Sequence, residues 1–458
     1  PEDRSGFRHL LERGAQAPLS PRIPDREAIA GYIYTSGTTG MPKGVELTHH
    51  NIVSNLLATR EVFPLAPGEV SLAFLPWAHS FGQTAELHYG LSQGLSIAIN
   101  DAIPNLLDNL GEVRPTVLLA VPRIFNRIHD AVLAQIAEEP RIVRRMFRDG
   151  LEAAAKHRRG ERDSWLHELE LKLDDRLIFS KVRQRFGGRL KFVISASAAL
   201  SREVAELVDA LGIEVYEGYG LSETSPVVAV NPPDRKRLGS VGTVIPGVRV
   251  EIDERHGGAP GEGEIVVYGP NVMRGYHGLP DKTAEAMTPD GGLRTGDLGR
   301  FDEDGYLYIT GRLKEQYKLQ NGKYVMPAPV EEQLKLSPYI TNVMLHGDGK
   351  PFNVALVVPD RDALARWAED ENVNLADPKS EPRVRELLEA EIAARGAELR
   401  PYELPKRILV VEDDFTPENG LLTPTMKLKR RAVLERYGEA LEALYRAEAP
   451  ISGDRPRA

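Results

Sequence analysis

The 458-residue chain has no cysteine. It can build no disulfide framework, no thiolate metal site and no cysteine nucleophile, so any thioester it makes must form on a separate carrier. Long apolar runs are missing as well. No stretch approaches the roughly 20 uninterrupted apolar residues that a bilayer-spanning helix needs, and no charged-then-apolar leader stands at the front, so a cytoplasmic address is the default expectation. Nor is there a basic surplus: 58 Lys and Arg face 67 Asp and Glu, a net charge of −9. That balance argues against a nucleic-acid partner and leaves anionic ligands to local groups. What is present, 41% apolar residues, is enough to fill the cores of two or three domains. The first residue is Pro1, consistent with a processed or trimmed chain.

Ala28 to Tyr34 reads as a buried strand entering a Thr/Ser/Gly loop, with a helix to follow from Thr48 as N-cap through Leu57. Strand-like runs recur at Ser71 to Leu75, Leu95 to Ile99, Thr116 to Val121 and Phe192 to Ser195, separated by helical periodicity. This alternation predicts α/β architecture with a mostly parallel sheet. Arg141 to Arg162 is strongly basic and reads as a solvated helical hairpin, with attraction of a ligand phosphate or anionic lipid as the sharper alternative. Short alternating strands such as Val248 to Ile252 and Glu264 to Tyr268 predict a small β-rich subdomain over about 235–308. The composition changes again after Gly311 and Arg312, before strand Asn353 to Val358 and helices around Ala363 and Val384. The expected division is a large domain over 1–313 and a smaller α+β domain over 314–458.

Thr35-Ser36-Gly37-Thr38-Thr39-Gly40-Met41-Pro42-Lys43-Gly44 follows a strand directly. Glycines let backbone N–H donors approach, hydroxyls donate, and lysine offsets charge, which are the needs of a phosphate-holding loop. A Walker A loop is excluded: counting from Gly37, Pro42 stands where the second glycine belongs and Gly44 replaces the magnesium-binding hydroxyl. Val45-Glu46-Leu47 also reads as a strand, where a P-loop would open a helix. A ligand-free Gly/Thr-rich hairpin is the structural alternative.

Tyr34 to Gly44 resembles the signature of the adenylate-forming superfamily, which contains acyl-CoA synthetases, firefly luciferase and peptide-synthetase adenylation domains. Further motifs occur in order. Tyr219-Gly220-Leu221-Ser222-Glu223-Thr224 is similar to the adenine and magnesium motif, and Arg294-Thr295-Gly296-Asp297 to the ribose motif. Gly311-Arg312-Leu313-Lys314-Glu315 is similar to the hinge, and Leu422-Thr423-Pro424-Thr425-Met426-Lys427 to the C-terminal lysine loop. The resemblance implies that Thr35, Ser36, Gly37, Thr38, Thr39, Gly40 and Lys43 hold phosphates, with Thr35 and Glu223 on Mg²⁺. It implies an adenine and ribose site of Ser197, Ala198, Glu217, Gly218, Tyr219, Gly220, Ser222, Asp297 and Arg312. Lys427 would bridge carboxylate and α-phosphate, and the small domain, mobile about Lys314, would then rotate to admit coenzyme A. Each residue has a plainer reading: Asp297 as a turn cap, Arg312 as a surface ion pair, Lys427 as part of a basic tail. The motif order outweighs these alternatives.

Met426 replaces the usual glycine before the lysine, and Ala196-Ser197 the usual Gly-Gly of the adenine-side loop. The first departure, with Val121-Pro122-Arg123-Ile124-Phe125, Glu217-Gly218-Tyr219-Gly220 and Gly322-Lys323-Tyr324-Val325, resembles the long-chain fatty acyl-CoA synthetase subgroup. Leu75-Pro76-Trp77-Ala78-His79-Ser80-Phe81-Gly82 resembles the acyl-pocket motif, implying acyl contacts from Trp77, His79, Phe81 and Gly82. His79 would position the substrate, since a carboxylate is already ionised near neutral pH, and Gly82 and Gly90 would leave room for a chain. Family members carry a further N-terminal segment that is not recognised before Ala28.

The implied reaction is AMP-forming long-chain fatty acid:CoA ligation, with ATP, fatty acid and coenzyme A as partners. A homodimer contact and a peripheral membrane contact remain open. The rivals are a fatty acyl-AMP ligase loading a carrier protein, a medium-chain or aryl acid:CoA ligase, and, outside enzymes, a silent nucleotide-binding scaffold. The compact Gly311 to Gly322 region favours coenzyme A, and joint retention of the site residues disfavours the scaffold.

Overall fold

A computed structural model describes residues 4–18, 20, 23–35, 42–122, 124, 125, 129, 132, 136, 138–158, 180–197, 200–256, 260–375, 377–416, 418–423 and 428–446. Strands β1 (Ile29–Thr35) and β2 (Lys43–Thr48) form an antiparallel hairpin closed by the pair Thr35 and Lys43. The expected buried strand is thus an antiparallel, half-exposed one. Its Ile33 packs on Val45, Leu47 and Met273, while Tyr32 and Tyr34 on the other face are 48% and 65% exposed. Thr48 caps the next helix, His49–Val62, as expected. Its hydroxyl accepts the Asn51 N–H at 3.1 Å, and Asn51 Oδ1 accepts the Thr48 N–H at 2.9 Å. This helix buries Asn51 and Asn55, which donate to the carbonyls of Pro270 and Val272 (2.8 and 2.9 Å) and of Val227 (2.7 Å).

Beyond it lie β3 (Val70–Ala73), β4 (Ser96–Ile99), β5 (Val117–Ala120), β6 (Phe192–Ser195), β7 (Glu214–Gly220), β8 (Val227–Val230) and β9 (Thr243–Val244). They form one seven-stranded sheet in the order β4-β3-β5-β6-β7-β8-β9. The pairs from β4 through β7 are parallel, and β8 and β9 join antiparallel. Ala120 and Ser195 end β5 and β6 and lie in register with Glu217 of β7, at the edge where open parallel sheets bind ligands. The basic segment is helical over Arg141–Arg158, and its continuation to Arg162 lies outside the described residues.

The β-rich region contains β10 (Arg249–Asp253), β11 (Gly263–Tyr268), β12 (Gly275–Tyr276), β13 (Leu293–Phe301) and β14 (Leu307–Arg312). Four of these make an antiparallel sheet in the order β10-β11-β13-β14, whereas β12 pairs with β2 of the hairpin. After the short pair β15 (Tyr317–Lys318) and β16 (Tyr324–Val325) come β17 (Ile340–His346), β18 (Asn353–Pro359) and β19 (Pro405–Val410), in that order. Strand β18 is buried throughout. Ala355 and Val357 pack on Val330, Val384 and Leu388 of two helices, and Val354, Leu356 and Val358 on Val433 and Leu441 of Arg430–Arg446. Coverage of both faces explains why β18 reads as a continuous apolar run, and burying each such side chain contributes about 1.5–3 kcal/mol. Among the described residues no helix is long and apolar enough to cross a membrane.

Candidate active site

Asp297 is placed by a bulge. Between the pairs Val266–Arg294 and Glu264–Leu298, β11 contributes only Ile265 while β13 contributes Thr295, Gly296 and Asp297. Gly296 takes φ +71° there, a left-handed backbone that favours glycine. Thr295 fixes the bulge by donating its hydroxyl to the Ile265 carbonyl (2.8 Å) and accepting the Asp297 N–H (3.1 Å). The buried Asp297 carboxylate then receives the Tyr219 hydroxyl from β7 on Oδ2 and Arg312 Nε from β14 on Oδ1, both at 2.8 Å. Burial, followed by the carboxylate beside it, holds the Tyr219 hydroxyl protonated far above its usual range. Asp297 leads the charges that raise the Arg312 guanidinium, with Glu315, Tyr219 and Glu223 acting in the same direction. Each carboxylate oxygen keeps a second lone pair for another donor.

A second cluster joins the hairpin to the end of β7. Lys43 Nζ sits 4.6 Å from the centre of the Tyr276 ring. The Tyr276 hydroxyl donates to Glu223 Oε1 at 2.9 Å, and burial followed by that carboxylate pushes it above its ordinary value. Glu223 lies on the one-turn helix Ser222–Thr224, whose Glu223 carbonyl accepts the Met273 N–H at 2.8 Å. Lysine, hydroxyl and carboxylate thus face one another beside the loop that Thr35 and Lys43 close. One carboxylate suits Mg²⁺, which keeps waters and leans on substrate phosphates, and Thr35 pairs with the Lys43 that lies against Tyr276, the partner of Glu223. No cluster of three or more acidic or imidazole groups suited to a metal occurs among the described residues.

Gly218 and Gly220 pair with Val230 and Val227. Ser197, past β6, has φ +77°. Glu217 Oε1 accepts the Gly239 N–H at 2.8 Å, and burial pushes its carboxyl up to about 7, against the pull of that N–H and a Leu200 backbone bond. Ser222 shares a buried 3.0 Å hydrogen bond with Ser80, joining the nucleotide-side motif to the acyl-side motif. Ser36, Gly37, Thr38, Thr39, Gly40, Ala198 and Lys427 lie outside the described residues. The ends of the lysine loop are placed: Leu422 bridges Leu428, the Lys429 N–H reaches the Leu421 carbonyl at 2.9 Å, and Arg430 grips the buried Glu331 at 2.8 and 2.5 Å. Arg430 Nε also lies 3.8 Å from Glu315 of the hinge motif. Lys314 and Lys43, after Lys282, both act on the Glu285 carboxyl, so the two lysines share a neighbourhood.

On the acyl side, His79 Nδ1 accepts the Phe81 N–H at 3.3 Å, and Phe81 is buried in a core cluster. The expectation that Gly82 and Gly90 leave room for a chain is corrected. A Cβ on Gly82 would stand 2.8 Å from the Pro76 carbonyl oxygen, and one on Gly90 2.9 Å from Leu95 Cδ2. Both glycines permit close packing, and neither opens space. Tyr276, Ser80 and Glu86 were missed from sequence. Ser80 stood inside a recognised motif, but nothing local marked Tyr276, which reaches Glu223 only through the pairing of β12 with β2.

The sequence profile described as AMP-binding enzyme matches residues 3–277, and that described as AMP-binding enzyme C-terminal domain matches 314–449. The chain belongs to the AMP-binding enzyme family. Within it, the chain groups with the long-chain acyl-CoA synthetases. A long-chain-fatty-acid–CoA ligase of Mycobacterium tuberculosis is 34% identical over 96% of this chain and 74% of its own. The peroxisomal long chain acyl-CoA synthetase 7 of Arabidopsis thaliana is 32% identical over 98% of this chain, which spans 65% of that protein. Among solved structures, the adenylation domain of a carboxylate reductase from Mycobacterium chelonae aligns with a TM-score of 0.76 at 26% identity, covering 96% of this chain and 64% of that one. The fold is also that of the A domain of a carboxylic acid reductase from Segniliparus rugosus in complex with AMP and a carboxylic acid (TM-score 0.73, 24% identity, 97% of this chain and 66% of that one).

Proposed function

We propose that this AMP-binding enzyme is an AMP-forming long-chain fatty acid:CoA ligase: fatty acid and ATP give acyl-adenylate and pyrophosphate, and coenzyme A then gives acyl-CoA and AMP. The observation that carries the reading is the joint placement of Tyr219, Asp297 and Arg312 beside Lys43, Tyr276 and Glu223. A carboxylate attacking an α-phosphate is anion meeting anion, so cations and fixed donors around the phosphates lower the barrier and the pocket positions the two partners. In this reading Tyr219 stacks on adenine, Asp297 takes the ribose hydroxyls with Arg312 beside it, and Ser36 to Gly40 with Lys43 cradle the phosphates. Glu223 and Thr35 hold Mg²⁺, which would offset phosphate charge. The similarity of the chain to long-chain synthetases along nearly its whole length supports the acyl class.

Lys427 is assigned to the adenylation step, and Lys314 to the pivot at the proposed 313/314 boundary. The test is pyrophosphate release with ATP, Mg²⁺ and fatty acids of graded length, with and without coenzyme A, following the thioester by mass. Thioester formation peaking at long chains is expected, and release that stops at the adenylate would move the assignment to carrier loading. Lys427→Ala should lose adenylation by about 10² to 10³, the scale of one preorganised charge, while still converting preformed acyl-adenylate to thioester. An unchanged overall rate would remove Lys427 from the site.

A further inference from the structure

The acyl-side motif packs on a group that the adenylation chemistry does not use. Glu86 lies on the π-helix Phe81–His88, directly after the motif, and is fully buried. Its Oε1 accepts the Ser71 hydroxyl from β3 at 2.9 Å. Its Oε2 has no hydrogen-bond partner, nor has the buried indole Nε1 of Trp77 inside the motif, although that indole N–H acts on the Glu86 carboxyl. Two buried polar atoms left unpaired at close quarters cost about 1–3 kcal/mol each, so their pairing is worth gaining. The motif also docks, through Ser80, on Ser222 of the nucleotide-side turn.

We propose that Glu86 is the positioning residue of the acyl-side loop: anchored on the sheet through Ser71, its carboxylate takes the Trp77 indole N–H when ionised and clamps the segment from Trp77 to Gly82. Protonation loosens the clamp. Burial pushes the carboxyl up to about 7, with Ser71 and Trp77 drawing it back, so the clamp is set near neutral pH. The helix His49–Val62 packs against the π-helix and carries His49, His50, Arg60 and Glu61, none of which acts on Glu86. Arg60 acts on Tyr89 instead, and His88, on the same element as Glu86, is kept towards its neutral form by burial. Because the clamp rests on the ligase reading only for its effect on substrate, its test has one arm free of activity.

With Trp165→Phe and Trp367→Phe, Trp77 is the sole tryptophan of the three in the chain. Its emission should titrate with a midpoint near 7. Glu86→Gln should abolish the transition, and Ser71→Ala, which removes a bond favouring the ionised form, should move it to higher pH. Emission that stays flat between about pH 5.5 and 8.5, or an unchanged midpoint in Glu86→Gln, overturns the proposal. In the activity arm, the KM for fatty acid should rise several-fold below the midpoint in the parent chain and lose that pH dependence in Glu86→Gln, with the KM for ATP unmoved. A fatty-acid KM that keeps its pH dependence in Glu86→Gln counts against the clamp. A titrating Trp77 in a chain that turns over no fatty acid leaves the clamp standing and removes the ligase reading.

Discussion

The nucleotide side and the acyl side of the site are built on different terms. On the nucleotide side Asp297 has both Tyr219 and Arg312, and Glu223 has Tyr276, which in turn faces Lys43. On the acyl side Trp77 Nε1, Thr84 Oγ1 and Glu86 Oε2 are buried without partners, and the glycines are filled against backbone and leucine. On the nucleotide side the charged groups are held by strand register and opposite charge. The acyl wall is set by packing around a few adaptable polar atoms.

The sharpest way to break this contrast is Asp297→Ala. It strips Arg312 and Tyr219 of their common acceptor, and leaving a hydrogen-bonded charge without its partner costs roughly 2–5 kcal/mol. The kcat/KM for ATP should therefore fall by about 10² to 10³, with chain-length preference unchanged. A shifted acyl preference with intact ATP use would show that the two sides are not separately built.

The contrast also accounts for what was legible in the sequence. Asp297 was readable because Arg294-Thr295-Gly296-Asp297 resembles the ribose motif of a known family, and Thr48 because a capping residue acts on its own helix. The parallel sheet followed from the alternation of apolar runs with helical periodicity, and strand β18 from its own apolar run, whereas its cover on both faces did not. Tyr276, Ser80 and Glu86 gain their partners through pairings more than 10 residues away, as in the separations of 53, 142 and 15 positions to Glu223, Ser222 and Ser71. Local pattern carries no such information. Gly82 illustrates a subtler loss: a missing side chain marks open space or close approach, and only the position of the Pro76 carbonyl decides which.

Buried acids on the two sides offer a matched comparison. Glu86 and Glu217 are each raised from 4.5 to about 7 by burial. The native state then holds a proton that the unfolded chain releases above 4.5, so stability is greatest below that value and declines as pH rises through about 7. Each contributes a decline of about 3 kcal/mol. Urea midpoints at acidic and mildly alkaline pH should lie closer together in Glu86→Gln and in Glu217→Gln than in the parent, with the double variant flattest. Parallel pH dependence in all the chains would show that neither acid is protonated in the folded state.

Gly82→Ala probes the acyl wall more gently. A Cβ placed 2.8 Å from a backbone oxygen must displace the segment between Pro76 and Gly82, and overpacking of this kind costs about 1–3 kcal/mol. The melting temperature should drop and the KM for fatty acid should rise, with the KM for ATP unmoved. If Gly82 instead opened room for the chain, the alanine would leave stability alone and shorten the preferred acyl length.

The smallest expected effect lies on the nucleotide side. Tyr276→Phe keeps the ring beneath Lys43 and removes only the hydroxyl that Glu223 Oε1 accepts. A hydrogen bond to a charged group contributes about 1.5–3 kcal/mol when its loss leaves the charge dry, but Glu223 would retain access to water and, on the proposed reading, to Mg²⁺, so the loss should stay near 1 kcal/mol, or about five-fold in kcat/KM for ATP. It should appear as a weaker apparent affinity for Mg²⁺, because a carboxylate freed of its tyrosine is less well aimed. A loss as large as that of Asp297→Ala would mean that Tyr276 touches the phosphates directly. No loss at all would mean that Glu223 is aimed by its one-turn helix alone.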